Sequence, residues 1–213
     1  MPASARGAPP GRGHDLLPGA ARGPGHPLQL AALIRALGPA YEFIKSCGPE
    51  LAAALGATDL PWAALASTPA LRHDLAKLAA TAPTPPSPAA QDWLEHLRLL
   101  ARQEPHRFLA HVYVRYRGDL SGGQQLAEQA NAILRAQGLP AVEFWHFDRP
   151  IPALKQALHD AFEQLELSDA EEAELLEESV VAFQATQRLL AELGELVTPP
   201  AADADTPPLT PAS

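Results

Sequence analysis

Apolar residues recur at spacings of three and four along most of the chain, which is the signature of helices that bury one face. Leu30, Leu33, Ile34, Leu37, Tyr41 and Ile44 form the first such stripe. It predicts a helix opening at Pro27, a residue suited to a first helical turn, and running to about Cys47, where Gly48-Pro49 ends it. Residues 50-80 read as two short helices broken near Thr58 to Pro61, and 80-90 as an extended proline-rich loop. A helix follows from about Gln91 to Arg102. A long one spans about His106 to Gln137 and is stopped by Gly138-Leu139-Pro140. The loop over 140-151 carries Phe144, Trp145 and Phe147, which are expected to pack beneath a neighbour. A further helix covers Ile151 to about Leu165.

Ser168-Asp169-Ala170-Glu171 has the form of a capping box, so the last helix should start there and run to about Leu196. Leu175, Val180, Phe183, Leu189, Leu190 and Leu193 are its expected buried side. Outside these elements the period disappears. Residues 1-26 are rich in Pro and Gly, and residues 198-213 form a polar, proline-rich tail. Both are expected to be disordered or loosely attached. The sequence therefore predicts an all-α protein with a single helical domain over residues 27-197.

Composition narrows the function classes. The chain has 213 residues and a formal net charge of -9, which argues against nucleic acid as a partner, because phosphate binding needs clustered cations. Cys47 is the single cysteine, so no internal disulfide can form and a reducing, cytoplasmic setting is expected. No apolar run approaches the roughly 20 residues of a membrane span. The start of the chain is Arg-bearing and acid-poor in the manner of an organelle transit peptide, but its prolines and glycines oppose an amphipathic helix.

The long central helix carries the most informative chemistry. Its pattern runs to Tyr116 and then meets Gly118, Gly122 and Gly123 within six positions. One glycine inside a helix costs about 1 kcal/mol against alanine. Three together call for close approach of the backbone to something flat or bulky. Asp119 stands among them, and Arg115 and Arg117 just before. The segment is expected to be a helix bent against a ligand, with a carboxylate held at the bend. The plainer reading of Asp119 is a cap on a resumed helix. Leu120 to Gln124 also spells the signature of transporter ATPases. No Gly-rich loop ending in Gly-Lys-Ser or Gly-Lys-Thr accompanies it, and Lys45, Lys77 and Lys155 follow no glycine.

The stretch AHVYVRYRGDLSGGQ resembles the distal helix of the heme oxygenase family. A weaker resemblance extends through most of residues 28-193, by way of YEFIK, LRHDLAKL, EFWHF, LKQALHDAFEQL and AFQATQRLLAEL. The resemblance implies an enzyme that opens heme at a meso carbon to give biliverdin, carbon monoxide and ferrous iron. Heme is then both substrate and cofactor. Dioxygen and electrons from an external reductase or ferredoxin are consumed, and iron acquisition or supply of a biliverdin-using photoreceptor is the purpose. The same scaffold could instead hold heme, another tetrapyrrole or a protein partner without turnover.

By that resemblance Gly118 and Gly122 let main chain approach the heme face, and Asp119 organises a water chain that delivers a proton. Tyr113 and Arg115 match positions near the distal hydrogen-bond network; their ordinary readings are a core aromatic and a solvated arginine. Lys155 aligns with a lysine that holds a heme propionate, and His159 stands where the family commonly has Arg. Phe183 matches an apolar pocket-lining position, or is plain core. His111 matches the family's Ala-His with a structural role. Arg117 departs from the family, which usually has an apolar residue there. Aligning YEFI puts the family's proximal iron ligand about where Ser4 stands. His14 and His26 are the nearby histidines, His14 being the better candidate, so the resemblance implies an N-terminally divergent or truncated member.

Overall fold

The computed structural model describes residues 27–65, 68–79 and 86–195. The two terminal segments expected to be disordered, and the iron-ligand candidate His14 with them, lie outside the described residues. Among those described there are helices and turns and no strand: α1 (Pro27–Ala54), α2 (Thr68–Ala79), α3 (Pro88–Gln103), α4 (Pro105–Ala136), α5 (Ile151–Glu163) and α6 (Asp169–Glu195). α4 is central and packs against α1, α3, α5 and α6, while α2 packs on α1. No helix is long and apolar enough to cross a membrane, among the described residues.

The boundary expected at Gly48-Pro49 is wrong. α1 continues through Pro39 and Pro49 to Ala54. A proline inside a helix forfeits one backbone hydrogen bond, but burial of Ile44, Gly48 and Ala52 holds this turn in place. Gly48 serves packing, not termination: a Cβ there would lie 2.5 Å from the Trp62 ring. The first of the two short helices expected in 50-80 is therefore the end of α1. The chain turns at Gly56, whose φ of 93° is left-handed and suits only glycine without strain. Glu166 N–H then bonds Leu55 O at 2.8 Å and fastens this turn to the loop before α6.

The glycines do not interrupt α4, which is a continuous α-helix over 32 residues. It ends where expected, at Gly138 (φ 68°), with Leu139 N–H returning to Leu134 O at 2.9 Å. In the loop that follows, Phe144 and Trp145 pack in the core as expected and Phe147 packs partly buried against it. The loop's anchor is Asp74 on α2, whose buried carboxylate accepts the backbone N–H groups of Glu143 and Phe144. The capping box of α6 is present: Ser168 N–H bonds Glu171 Oε2 at 2.9 Å, and Glu171 N–H bonds Ser168 Oγ at 3.4 Å. The expected buried side of α6 needs correction. Glu178, Ala182, Leu189 and Leu193 face the core, whereas Val180 and Phe183 are 57% and 44% exposed. Leu176, Val180 and Phe183 form a second apolar stripe on the opposite side, and a single-stripe reading merged the two.

Candidate functional site

A helix turns about 100° per residue, so α4 presents different columns of residues to different neighbours. Tyr113 packs on Phe162 of α5, ring centroids 4.8 Å apart. Arg115 reaches across to Thr186 of α6, with Nη1 3.5 Å from Oγ1. On the inner side between these two columns stand Tyr116, Asp119, Leu120 and Gly123, all buried. On the outer side stand Val114, Gly118, Ser121 and Gly122.

The three glycines divide between these sides. A Cβ on Gly122 would meet nothing within 4 Å, and one on Gly118 only Arg115 Nη2 at 3.9 Å. Their missing side chains leave bare main chain facing open space. Gly123 differs: its Cβ would lie 2.5 Å from Trp145 Cδ1, so this glycine is needed for packing. Of the three, only Gly118 and Gly122 have room beside their main chain for a group from outside the protein.

Asp119 is 1% exposed and fully engaged. Its Oδ1 accepts from Arg115 Nη2 at 2.9 Å, and its Oδ2 accepts from the hydroxyl of Tyr41 on α1. It lies in the middle of an unbroken helix, so the capping reading is excluded. Burial alone would lower the Arg115 pKa, but the charges of Asp119 and Tyr41 and their hydrogen bonds raise it instead. Burial pushes the Tyr41 hydroxyl well above its ordinary value; Arg115 opposes this and Asp119 reinforces it. At neutral pH Tyr41 is therefore a protonated donor and Arg115 a cation, both aimed at one carboxylate. Arg115 is neither solvated nor free.

Tyr41 was legible in the sequence only as an apolar stripe position. The signal that singles it out is its hydroxyl, because a tyrosine at a fully buried position needs a hydrogen-bond partner. Lys155 is half-buried on α5 and makes no ion pair among the described residues. His159 is exposed, with Nδ1 3.9 Å from Glu163. Phe183 stands one turn before Thr186, the α6 residue that Arg115 reaches, and is exposed. Tyr113 faces α5 and is held there, away from Asp119's partners.

His111 has the structural role expected of it. Its Nδ1 accepts the Trp93 indole N–H at 3.1 Å, and its Nε2 lies 2.9 Å from Glu178 Oε1. His96 Nε2 meets the same oxygen at 2.7 Å, and Arg107 approaches the other at 3.4 Å. Burial acts to raise the Glu178 carboxyl, but the hydrogen bonds and charge of His111 and His96 bring it down to about 2. The two imidazoles and the carboxylate are close enough to hold a metal ion. However, an indole N–H can only donate. With it on Nδ1, the neutral His111 carries its proton on Nε2, where a metal would need the lone pair. The cluster is a hydrogen-bonded strut joining α3, α4 and α6. A cavity of about 550 Å³ beside it is lined by Trp93, His96, Ala185, Arg188 and Glu192, and includes no residue of the glycine face.

The family model described as heme oxygenase matches residues 34–192. The chain belongs to the heme oxygenase family. Heme oxygenase 1 of Pongo abelii is 37% identical over 120 residues, covering 54% of this chain and 41% of that protein. Heme oxygenase 2 of Synechocystis sp. is 31% identical over 117 residues, 53% of this chain and 47% of its own length. The chain thus matches under half the length of these curated relatives. Among solved structures, the heme oxygenase of Leptospira interrogans superposes with a TM-score of 0.69 at 29% identity, over 79% of this chain and 84% of that one. A Synechocystis heme oxygenase-2 crystallised with heme and NO gives a TM-score of 0.69 at 25% identity, over 81% and 74%. The all-α heme oxygenase fold is therefore what these proteins share. The family match begins within α1, past the segment that contains His14.

Proposed function

We propose that this heme oxygenase holds heme against the outer side of α4 and cleaves it at a meso carbon to biliverdin, carbon monoxide and ferrous iron. One observation carries the reading: Gly118 and Gly122 leave bare main chain facing open space, one residue and three residues from a buried carboxylate fixed by two donors. A flat macrocycle fits such a surface, whereas side chains there would hold it off. Lys155 suits a propionate at the α5 side, and the exposed ring of Phe183 suits an apolar contact at the α6 side. Bound heme supplies the iron and the oxidisable ring, with dioxygen and electrons from an external reductase or ferredoxin.

The remaining work belongs to the chain's own residues. Asp119 points inward, so it reaches the outer side through water and not by direct contact. Each of its oxygens accepts one protein donor and keeps a lone pair for a water molecule. Tyr41 and Arg115 fix the carboxylate, which makes proton delivery through that water directional and mild. Biliverdin would pass to iron-supply chemistry or to a photoreceptor that uses it. The unpaired Cys47 suits a cytoplasmic setting.

A second reading, heme binding without turnover, draws on a specific observation: His111, the α4 histidine nearest the glycines, has both ring nitrogens engaged, one by Trp93 and the other by Glu178. His14 remains the candidate iron ligand. Titration with hemin followed by ascorbate under dioxygen decides. Growth of a Soret band and its replacement by biliverdin absorption is the outcome expected for the enzyme. A Soret band that persists assigns binding alone, and no Soret band refutes both.

A further inference from the structure

Arg117 sits where the family resemblance expects an apolar residue, and the geometry of α4 and α5 gives it a place. After Gly138 the chain returns alongside α4 in the opposite direction. Val142 lies beside Asn131, Trp145 beside Gly123 and Gln124, and Phe162 beside Tyr113. α5 is therefore antiparallel to α4, and its earlier residues stand level with later residues of α4. Lys155 precedes Phe162 by seven residues, or about 10 Å of helix at 1.5 Å per residue. That sets it level with residue 120. By the same count His159 is level with residue 116, so Arg117 stands between the two along the seam.

The direction around each helix agrees. Tyr113 and Phe162 meet at the edge of the core. On α4, Arg117 is about 40° from Tyr113 toward Gly118 and Ser121. On α5, Lys155 is about 20° from Phe162, on the side away from buried Leu154, Leu158 and Ala161. Both cations therefore border the outer side of α4 at its α5 edge. Neither makes an ion pair among the described residues. The acids nearest in sequence on α5 have other contacts: Asp160 accepts from Gln156 at 2.7 Å, and Glu163 faces His159. Two uncompensated cations at one edge, in a chain of net charge -9, form a local site for an anion.

We infer that Arg117 anchors a carboxylate of the bound macrocycle at this edge, beside Lys155, and supplies the guanidinium that the α5 position of His159 lacks. This rests on the heme reading above. A guanidinium binds a carboxylate through two parallel N–H donors, which the divergent ring nitrogens of an imidazole cannot present. Arg117 is thus a positioning residue: it fixes how the ring lies on the glycine face and touches no reacting atom.

The test compares hemin with hemin dimethyl ester, which lacks both carboxylates, by Soret titration of the full chain. Arg117→Leu should weaken hemin roughly tenfold, the size of one charge-assisted hydrogen bond, and leave ester affinity at the wild-type value. Arg117→Lys should recover part of the loss. Because Arg117 is exposed, the leucine variant should show the wild-type melting curve by circular dichroism. Equal weakening of both ligands would overturn the inference, as would unchanged hemin affinity in Arg117→Leu. Wild-type protein that binds neither ligand would instead overturn the heme reading and this inference with it.

Discussion

The hydroxyl of Tyr41 on α1 donates to Asp119 on α4 across 78 residues of sequence, and Arg115 holds the carboxylate's other oxygen. This joins the two helices inside an aromatic core in which Tyr41 also meets Tyr116 and Phe144 edge-on. The network both stabilises and orients.

Asp119→Ala separates the two roles. Hemin affinity should stay near wild type, because Asp119 does not face the outer side, while biliverdin formation falls sharply. The fold should lose about 2–4 kcal/mol, since a buried guanidinium and a buried hydroxyl are left without their acceptor. Denaturant unfolding and single-turnover spectra together check this. Turnover at the wild-type rate would remove Asp119 from proton delivery.

The glycines should respond in opposite directions. Without heme, Gly122→Ala should raise stability by about 0.5–1 kcal/mol, because its Cβ meets open space and alanine favours the helix. Gly123→Ala should lower stability by roughly 1–3 kcal/mol, because Trp145 must move and Gln124 pins its carbonyl at 2.7 Å. Gly122→Val should fold yet lose the Soret response. If Gly122→Val binds hemin as tightly as wild type, no ring lies on that glycine.

Much of this fold is legible in the sequence because helices with one buried stripe repeat every three or four residues. The capping box of Ser168 and Glu171, the glycine stop at Gly138 and the order of the helices all follow from local chemistry. What fails is what distance decides. Pro49 looks like a stop, and only the Trp62 ring over Gly48 shows why the helix continues. Gly118, Gly122 and Gly123 look alike in sequence, and only Trp145 tells the third apart. The site is half legible for the same reason. Asp119 and Arg115 are four residues apart and readable as a pair. Tyr41 joins them only through the packing of α1 on α4.

The strut at Glu178 predicts a pH response. Its carboxyl is held at about 2, below the roughly 4.3 of an unfolded chain, so its contribution is complete above about pH 4.5 and disappears as pH falls through 2. Burial also lowers the His111 pKa, so the unfolded chain takes up that proton first as pH drops below about 6.5. Stability should therefore decline from about pH 6.5 and steepen below about 4.5. Glu178→Gln should cost about 2–4 kcal/mol at pH 7 and remove the lower, steeper part. Urea unfolding at a series of pH values reads both. A wild-type curve that is flat from pH 7 to 3 would show that this cluster is not a titrating strut.

Phe183 gives the sharpest contrast between core and site. It stands at 44% exposure on α6, whereas Leu189 two turns on is buried. Leu189→Ala should cost about 2–5 kcal/mol, as a cavity in the core does. Phe183→Ala should change heme-free stability by no more than about 0.5 kcal/mol, because the ring covers little protein surface. Hemin affinity should nevertheless fall roughly tenfold, since an apolar ring of this size contributes on that scale when a ligand covers it. Thermal melts without heme and Soret titrations of the same two variants give the four numbers needed. A Phe183→Ala protein that melts as early as Leu189→Ala would place the ring in the core. One that binds hemin as wild type does would take α6 out of the heme-binding surface and leave α4 with α5 alone.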